Sequence, residues 1–302
     1  MSKTKPFVNQ IEHDSFLQNA LTLKGSVTPR VIKKVIFVFF YSCIISMINY
    51  FDPSIFLPIG PFEYAGLIMG LILVFRLNAG YDRWWEARKI WGNIVNQSRN
   101  IAIIISNYVH TNANHTKLKT INYIAAMPFL IKNSLQSNDS TDEIKHLIEK
   151  EDLLKIIGAE NKPVILSSMI AYELNMFRDK NQLDSFGFLQ AEEARALILD
   201  CHGACERILK TPIPFVMAVK ARRFIFLFLI ALPFATVSAS LYITPFITAL
   251  VAYALLSLDQ IGLELQNPFS ENSLSHLPLN DICNNIEKNV EGIRQATLDP
   301  AV

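Results

Sequence analysis

Three large apolar side chains, Leu67, Leu71 and Phe75, recur at four-residue intervals in the stretch LIMGLILVF. On an α-helix this spacing places them in one stripe roughly 12 Å long, and Gly66 and Gly70 beside it would let another helix approach closely. If several such helices surround an axis, the stripe forms stacked apolar rings, which block ions by expelling water until the pore widens. The same spacing suits leucines that face lipid or pack against helices, and spacing alone favours this second interpretation.

A second group of residues whose types could bind a metal lies in the stretch CHGACE. Cys201 and Cys205 are one helical turn apart, so a metal site is conceivable. His202 points away from that face and no second pair of ligands is visible, so we interpret the group as helix packing and expect no metal. No nucleotide-binding loop, nucleophile elbow or zinc-protease motif is present. The sequence therefore argues against an enzyme and against a cofactor.

Isolated charges flank the apolar runs. Arg76 directly follows Phe75, and Asp259 comes near the end of the last apolar run. Such residues commonly mark the edge of a membrane, where a long side chain reaches back toward water. We interpret both as boundary residues; the alternatives are that Arg76 lies on the ion path and that Asp259 faces a neighbouring helix.

The apolar residues are concentrated in runs long enough to cross a membrane. The 302-residue chain is 51% hydrophobic and 18% charged. Residues 35–51 contain no charge, a second run covers 64–75, and no Asp, Glu, Lys or Arg occurs in 224–258. One helix over the last run would be roughly 50 Å long, too long for a single crossing, so VSASLYITP is predicted to turn the chain. We predict an all-α membrane protein with four transmembrane helices and a large cytosolic helical domain.

The distribution of basic residues predicts the topology. The links 52–63 and 238–245 contain none of the 28 Lys and Arg residues. The positive-inside rule then places both termini on the cytoplasmic side of a multi-pass protein in the cell membrane. A net charge of +1 gives no reason to expect a nucleic-acid partner. The predicted parts are a cytosolic arm (1–34), a first transmembrane pair (35–80), a cytosolic domain (81–218), a second pair (219–265) and a cytosolic tail (266–302).

Helical patterns fill the middle of the chain. The stretch STDEIKHLIEKEDLLKIIG predicts one helix that begins at a Ser140/Thr141 cap and closes at Gly158. The stretch EEARALILDCHGACERILK predicts an amphipathic helix.

The residues that follow the stripe resemble a known family. The run YDRWWEARKIWGN carries Arg83, Trp84 and Trp85, and it is similar to the Arg-Trp-Trp motif of the bestrophin family of pentameric ion channels. The resemblance continues in TPIPF, LPF, TPF and LSLDQIGLELQNPF. It covers roughly residues 25–300 and is weakest near 110–145.

The resemblance implies a fold, an assembly and residue roles. The second helix would run unbroken from the membrane into the cytosolic domain, with Trp84 and Trp85 packing it into the helical bundle. The family's pore neck falls on Leu67, Leu71 and Phe75, and its cytosolic aperture falls on Ile213, the residue before Pro214. The chain would form a homopentamer in the lipid bilayer and conduct small monovalent ions passively.

Two departures from the family affect what would be conducted and when. Animal members bind calcium through an acidic clasp after the fourth helix, but here NPFSENSLSHLPLND holds only the acids Glu271 and Asp281. A calcium ion requires six to eight oxygen ligands, so we expect no calcium activation. Eukaryotic relatives conduct chloride, whereas Asp52 and Glu63 at the outer mouth would favour cations. The positive end of the second helix would favour anions, so the sign of the ion stays open.

An alternative function would need no pore. The chain could be a membrane-anchored helical scaffold or binding protein whose working surface lies in residues 76–223. Substitutions in the stripe would then leave its activity unchanged.

Overall fold

A computed structural model describes residues 16–23, 25–110 and 114–298 of the chain. These residues form ten α-helices and one 3₁₀ turn and contain no β-strand. The prediction of an all-α fold is confirmed. The helices are α1 (Phe16–Leu21), α2 (Thr28–Phe51), α3 (Gly60–Tyr108), α4 (Asn114–Leu135), α5 (Lys150–Ile157), α6 (Lys162–Asp179), α7 (Ser185–Lys210), α8 (Phe215–Thr236), α9 (Thr244–Glu264) and α10 (Leu279–Leu298).

The described residues divide into two compact units. Unit 1 combines the residues up to Tyr81 with Ile213–Leu265, and unit 2 combines Asp82–Pro212 with the residues from Gln266 onward. Helix α3 is continuous over 49 residues, as predicted, and contributes its first part to unit 1 and the rest to unit 2. Of the predicted arm (1–34), residues 1–15 and 24 lie outside the described residues, and the described part contains α1 and the start of α2.

Unit 1 contains the apolar helices. Among the described residues, α2, α3 and α9 are long and apolar enough to cross a membrane, with mean hydropathies of 2.1, 1.4 and 1.7 over their most apolar stretches. Helix α8 has 22 residues but carries Lys220, Arg222 and Arg223 near its start, so its longest uncharged segment is 224–236. That segment is about 20 Å long as a helix. Four crossings therefore stay a prediction.

The long uncharged run 224–258 is split as predicted, because α8 ends at Thr236 and α9 begins at Thr244. The backbone N–H of Leu57 donates to the carbonyl of Phe234 at 2.9 Å. The link between α2 and α3 therefore lies at the same end of unit 1 as the turn between α8 and α9. The predicted topology depends on this arrangement of the two links.

Unit 2 has a densely packed core built around α4, which packs against α6, α7 and α10. Its largest buried side chains, Trp91, Tyr123, Phe177 and Phe269, are at most 1% exposed. The predicted amphipathic helix lies within α7. The carboxylate of Asp184 caps α7 by accepting bonds from two N–H groups at 2.7 and 2.8 Å.

The prediction of one helix from Ser140 to Gly158 is wrong. A 3₁₀ turn covers Asp142–Ile144, and α5 begins only at Lys150, because Glu149 has an extended backbone (φ −65°, ψ 150°). Lys132 donates to both carboxylate oxygens of Glu143 at 2.6 Å. This contact with α4 holds the turn in a position that local sequence could not indicate.

Candidate functional site on helix α3

The first part of α3 has two opposite faces. Leu67, Leu71 and Phe75 are 75%, 56% and 59% exposed, whereas Met69 and Leu73 are each 1% exposed. At 100° per residue the two groups point in nearly opposite directions. The stripe is therefore outside the chain's own core and is available to lipid or to other copies of the chain.

The buried face of α3 packs against α2, α8 and α9 of unit 1. Met69 and Leu73 form one apolar cluster with residues of α2, α8 and α9, namely Val38, Ile225, Leu229 and Ala252. This packing sets the rotation of α3 about its axis and so determines where the stripe points.

Among the glycines of α3, the closest contact with another segment is not at the predicted Gly66 and Gly70. A Cβ atom at Gly66 would lie 3.7 Å from the Phe228 ring, and one at Gly70 would meet nothing within 4 Å. At Gly80, by contrast, a Cβ would lie 3.1 Å from Leu265 and 3.3 Å from the carbonyl of Gly262. A side chain at Gly80 would separate α3 from α9.

Arg76 is buried and paired, so its interpretation as a boundary residue is wrong. Its side chain is 4% exposed, and it donates from Nη1 to Oδ1 of Asp259, whose side chain is 12% exposed. The other oxygen of Asp259 accepts a bond from Nε of Arg222 at 3.2 Å. Asp259 also faces a neighbouring helix, contrary to expectation. The ion pair joins α3 to α9 one residue after Phe75.

The sequence could not indicate this pairing, because 183 residues separate Arg76 from Asp259. The glycine at 262, one turn after the aspartate, makes room for the arginine, since a Cβ there would lie 3.7 Å from Cγ of Arg76. Asn78 was also missed. It is exposed and follows Phe75 by three residues, which places a polar side chain at the end of the stripe.

Arg83 of the motif holds the end of α7 within unit 2. Its guanidinium donates to the backbone carbonyls of Ile208 and Thr211 at the C-terminus of α7, and to the carbonyl of Gln266 at 3.2 and 3.3 Å. A cation is favourable there because the last carbonyls of a helix lack partners and carry partial negative charge. Arg83 thereby fixes the chain two residues before Ile213.

The two tryptophans of the motif differ in their surroundings. Trp84 is partly buried, packs against the core of unit 2 and donates from Nε1 to the carbonyl of Ser275 at 2.7 Å. Trp85 is 46% exposed and stacks on Trp84, with ring centroids 6.4 Å apart. Trp84 therefore packs into the helical bundle as expected, whereas Trp85 does not.

Ile213 and Asp52 lie in non-helical segments, and Glu63 lies in the first turn of α3. Ile213 is half-buried between two prolines, just before α8. Asp52 and Glu63 are exposed. Ser54 donates to Asp52 from its hydroxyl at 2.6 Å and its N–H at 3.1 Å, and these bonds lower the pKa of Asp52. Both acids stay available to an ion in solution.

The cysteines and the histidine of CHGACE belong to the core of unit 2. Cys201, His202 and Cys205 are 7%, 2% and 0% exposed. Burial raises the pKa of Cys205 to about 12 and lowers the pKa of His202, which lies 3.3 Å from the hydroxyl of Ser134. Within the described residues no three His, Cys, Asp or Glu side chains form a group that could hold a metal ion.

A family model described as "Bacterial/Fungal Bestrophin protein" matches residues 8–292 of the chain. The chain belongs to the bacterial/fungal bestrophin family. The resemblance found in the Arg-Trp-Trp motif is thereby confirmed, and the chain is a membrane protein.

Relatives and solved structures agree with this assignment. The chain is 31% identical over 278 residues to a voltage-dependent anion channel-forming protein of Synechocystis, covering 91% of this chain and 90% of the relative. It is 31% identical over 275 residues to the voltage-dependent anion channel-forming protein YneE of Escherichia coli strain K12, covering 90% and 89%. A crystal structure of a bacterial bestrophin homolog from Klebsiella pneumoniae superposes with a TM-score of 0.79 at 27% identity, covering 86% of this chain and 98% of that one.

Proposed function

We propose that several copies of this bestrophin chain surround a common axis, with Leu67, Leu71 and Phe75 lining the neck of a passive anion channel. The observation that carries the proposal is the exposure of these three side chains on the face of α3 opposite its packed face. A homopentamer in the cell membrane is the assembly that the family implies.

The exposed stripe needs a cover that a single chain does not provide. Burying one Leu or Phe side chain contributes about 1.5–3 kcal/mol, so three such residues on one face favour association in water or insertion into lipid. Lipid alone could cover these three side chains, but it would not explain why the rest of α3 is held at one rotation about its axis. The ion pair of Arg76 with Asp259 and the buried Met69 and Leu73 hold this helix at a defined rotation, as a neck requires.

Anions are the proposed permeant ions because the matched relatives are named as anion channel-forming proteins. An apolar neck excludes both signs equally when it is dry, so the sign depends on the charges at its ends. Cation conduction is the second candidate, and it rests on the exposed carboxylates of Asp52 and Glu63. We further propose four crossings with cytoplasmic termini and an aperture at Ile213.

We also propose that calcium does not open this channel. The polar cavity formed after α9, about 440 Å³ in volume, has Glu143 and Glu271 as its only lining carboxylates. Lys132 projects its ammonium group into it, 2.6 Å from Glu143 and 2.7 Å from Oδ1 of Asn280. A cation already fixed among so few carboxylates does not fit a calcium site, which needs six to eight oxygen ligands.

Recording from purified protein in planar bilayers tests the neck. Phe75→Ala and Leu71→Ala should raise the single-channel conductance severalfold, because each widens the constriction and eases its wetting. Leu227→Ala is the matched control, since Leu227 is 62% exposed on α8 and should leave conductance unchanged. Equal effects of the neck and control variants, or no current from the wild type, would contradict the proposal that the stripe lines a pore neck.

Reversal potentials under a potassium chloride gradient test the sign. We expect the current of the wild type to reverse near the chloride equilibrium potential. The double variant Glu63→Gln with Asp52→Asn should shift the reversal potential still closer to that value. Reversal near the potassium potential, abolished by these substitutions, would establish the second candidate. Currents that rise with micromolar calcium would contradict the calcium proposal.

A further inference from the structure

A groove in unit 1 combines a basic end with an apolar length. It lies between α2, α8 and α9 and encloses about 710 Å³, within the range of ligand sites. Lys33, Lys34 and Arg222 line one end, and apolar side chains such as Phe37 and Phe226 line the rest.

The basic end has an excess of positive charge. Lys33 and Lys34 are exposed and have no carboxylate partner among the residues that the structure describes. Asp259, the carboxylate that lines the groove, already accepts bonds from Arg76 and Arg222. Among the described lining residues, three cations, Lys33, Lys34 and Arg222, against the one carboxylate of Asp259 leave this end able to bind an anion.

Two contacts define the length of the groove. At the basic end Nε of Arg222 lies 3.2 Å from Oδ2 of Asp259, and at the other end the hydroxyl of Tyr41 donates to the carbonyl of Ile230 at 3.1 Å. Eight residues separate Arg222 from Ile230, and eight separate Lys33 from Tyr41, so the groove extends about 12 Å along both helices. An apolar surface of that length beginning at a cluster of cations has the shape of a phosphate followed by an acyl chain.

The direction in which the groove faces indicates its occupant. None of the groove's lining residues belongs to α3, and the core face of α3 packs toward α2, α8 and α9. With the stripe on a common axis, a step that rests on the proposed function, the groove faces outward into the bilayer. A free phosphate would use the basic end and leave the apolar length uncovered.

We propose that this groove binds an anionic phospholipid. Its phosphodiester is held by Lys33, Lys34 and Arg222, and one acyl chain lies along Phe37 and Phe226. Basic residues at the end of membrane helices recognise such headgroups through charge. The lipid would fill the space between α2 and α8 beside the ion pair of α3.

Native mass spectrometry of the full-length protein in detergent tests the proposal. The protein is titrated with dioleoyl phosphatidylglycerol, dioleoyl phosphatidylcholine or glycerol 3-phosphate. We expect tightest retention of phosphatidylglycerol. Lys33→Gln with Lys34→Gln should weaken that binding about 25-fold, roughly fivefold for each cation lost. Arg223→Gln is the matched control, because Arg223 is exposed on α8 next to Arg222 but does not line the groove.

A second pair of variants tests the apolar length. Ile230→Trp should fill the groove and displace the lipid, whereas Leu227→Trp, at an exposed residue outside the lining, should not. Both proteins must keep the wild-type assembly mass, which shows that they fold.

Three results would overturn the lipid site. Equal weakening by Arg223→Gln would show general attraction to a basic surface. Glycerol 3-phosphate binding as tightly as the lipid would show a phosphate site. No retained lipid in the wild type would show that another occupant, such as a second copy of the chain, fills the groove. Lipid retention is read from mass and not from current, so the channel proposal and this one can fail independently.

Discussion

Unit 1 exposes many of its large apolar side chains, whereas unit 2 buries its largest ones in its core. Unit 1 leaves residues such as Phe226 and Leu250 62% and 69% exposed, whereas unit 2 buries Trp91 and Phe177 to 1% or less. The hydrophobic effect accounts for both if, as proposed above, the surface of unit 1 meets hydrocarbon or other copies and the surface of unit 2 meets water. Burial identifies an apolar core in each unit, but exposed apolar side chains cover much of the surface of unit 1 as well.

The two units also differ in how their buried charges are paired. In unit 1 Asp259 is held by Arg76 and Arg222, while Nε and Nη2 of Arg76 have no partner among the described residues. In unit 2 Asp152 accepts from the Tyr123 hydroxyl and from two ammonium groups, those of Lys119 and Lys155, each at 2.8 Å. When one member of the ion pair in unit 1 is lost, fewer hydrogen-bond partners remain for the other than in the network around Asp152.

The largest effect should follow loss of Arg76. Arg76→Met leaves Asp259 with only the half-exposed Arg222, and removing one partner of a buried ion pair costs about 3–5 kcal/mol. Thermal unfolding of the purified protein in detergent measures this loss. The double variant Arg76→Met with Asp259→Leu should recover most of it, because an apolar pair carries no unpaired charge. A single variant as stable as the wild type would show that the pair is dispensable.

The corresponding change in unit 2 should be smaller and depend on pH. Burial alone would raise the pKa of Asp152, but the hydrogen bonds from Lys119, Lys155 and Tyr123 outweigh it and hold the pKa well below its ordinary value. The folded pKa lies below the unfolded one, so this stabilisation is complete above about pH 4 and is lost as the pH falls below that value. Asp152→Asn should cost about 2–4 kcal/mol at pH 7 and reduce the sensitivity to acid.

Denaturant unfolding at pH 7 and pH 3.5 measures both quantities for Asp152→Asn. Asp142→Asn is the control, since the Asp142 side chain is 75% exposed beside Lys145, and an exposed ion pair contributes little to stability. If both variants changed stability equally at pH 7, the buried network would have no special role.

A matched pair of leucines tests the contrast in surroundings directly. Leu250 in α9 and Leu154 in α5 are 69% and 70% exposed. Leu250→Gln should cost about 1–3 kcal/mol in lipid nanodiscs, because its amide would lack water as a partner. Leu154→Gln should stay within about 0.5 kcal/mol. Equal small effects would show that the α9 surface is hydrated, contrary to the comparison.

Features that depend on neighbouring residues in the sequence were predictable. The unbroken α3 was implied by the family resemblance of the run that carries Arg83, and the split between α8 and α9 follows from the 30 Å limit on one crossing. The spacing of the stripe also indicated that its members share a face. In each case the controlling interaction lies within one or two helical turns.

Features that depend on distant partners were not predictable. A buried Arg76 and a boundary Arg76 look the same in sequence until Asp259 is known to lie beside it. Likewise, the break after Ile144 depends on Lys132 of α4. Spacing also could not decide which face of α3 is covered, because that depends on how α2, α8 and α9 pack. Pairing across 183 residues is a property of the fold and leaves no local pattern.

The smallest predicted effect compares two cysteines. Cys205 of unit 2 is fully buried, and burial raises its pKa to about 12, whereas Cys43 of unit 1 is half-buried on α2. Cys205→Ala should cost about 1 kcal/mol, because a void of about one methyl group remains in a packed core. Cys43→Ala should change stability by less than about 0.5 kcal/mol, since lipid refills the space at the surface of unit 1. Thermal unfolding in nanodiscs distinguishes the two, and a larger loss at Cys43 would place this side of α2 inside a protein contact instead of at a lipid surface.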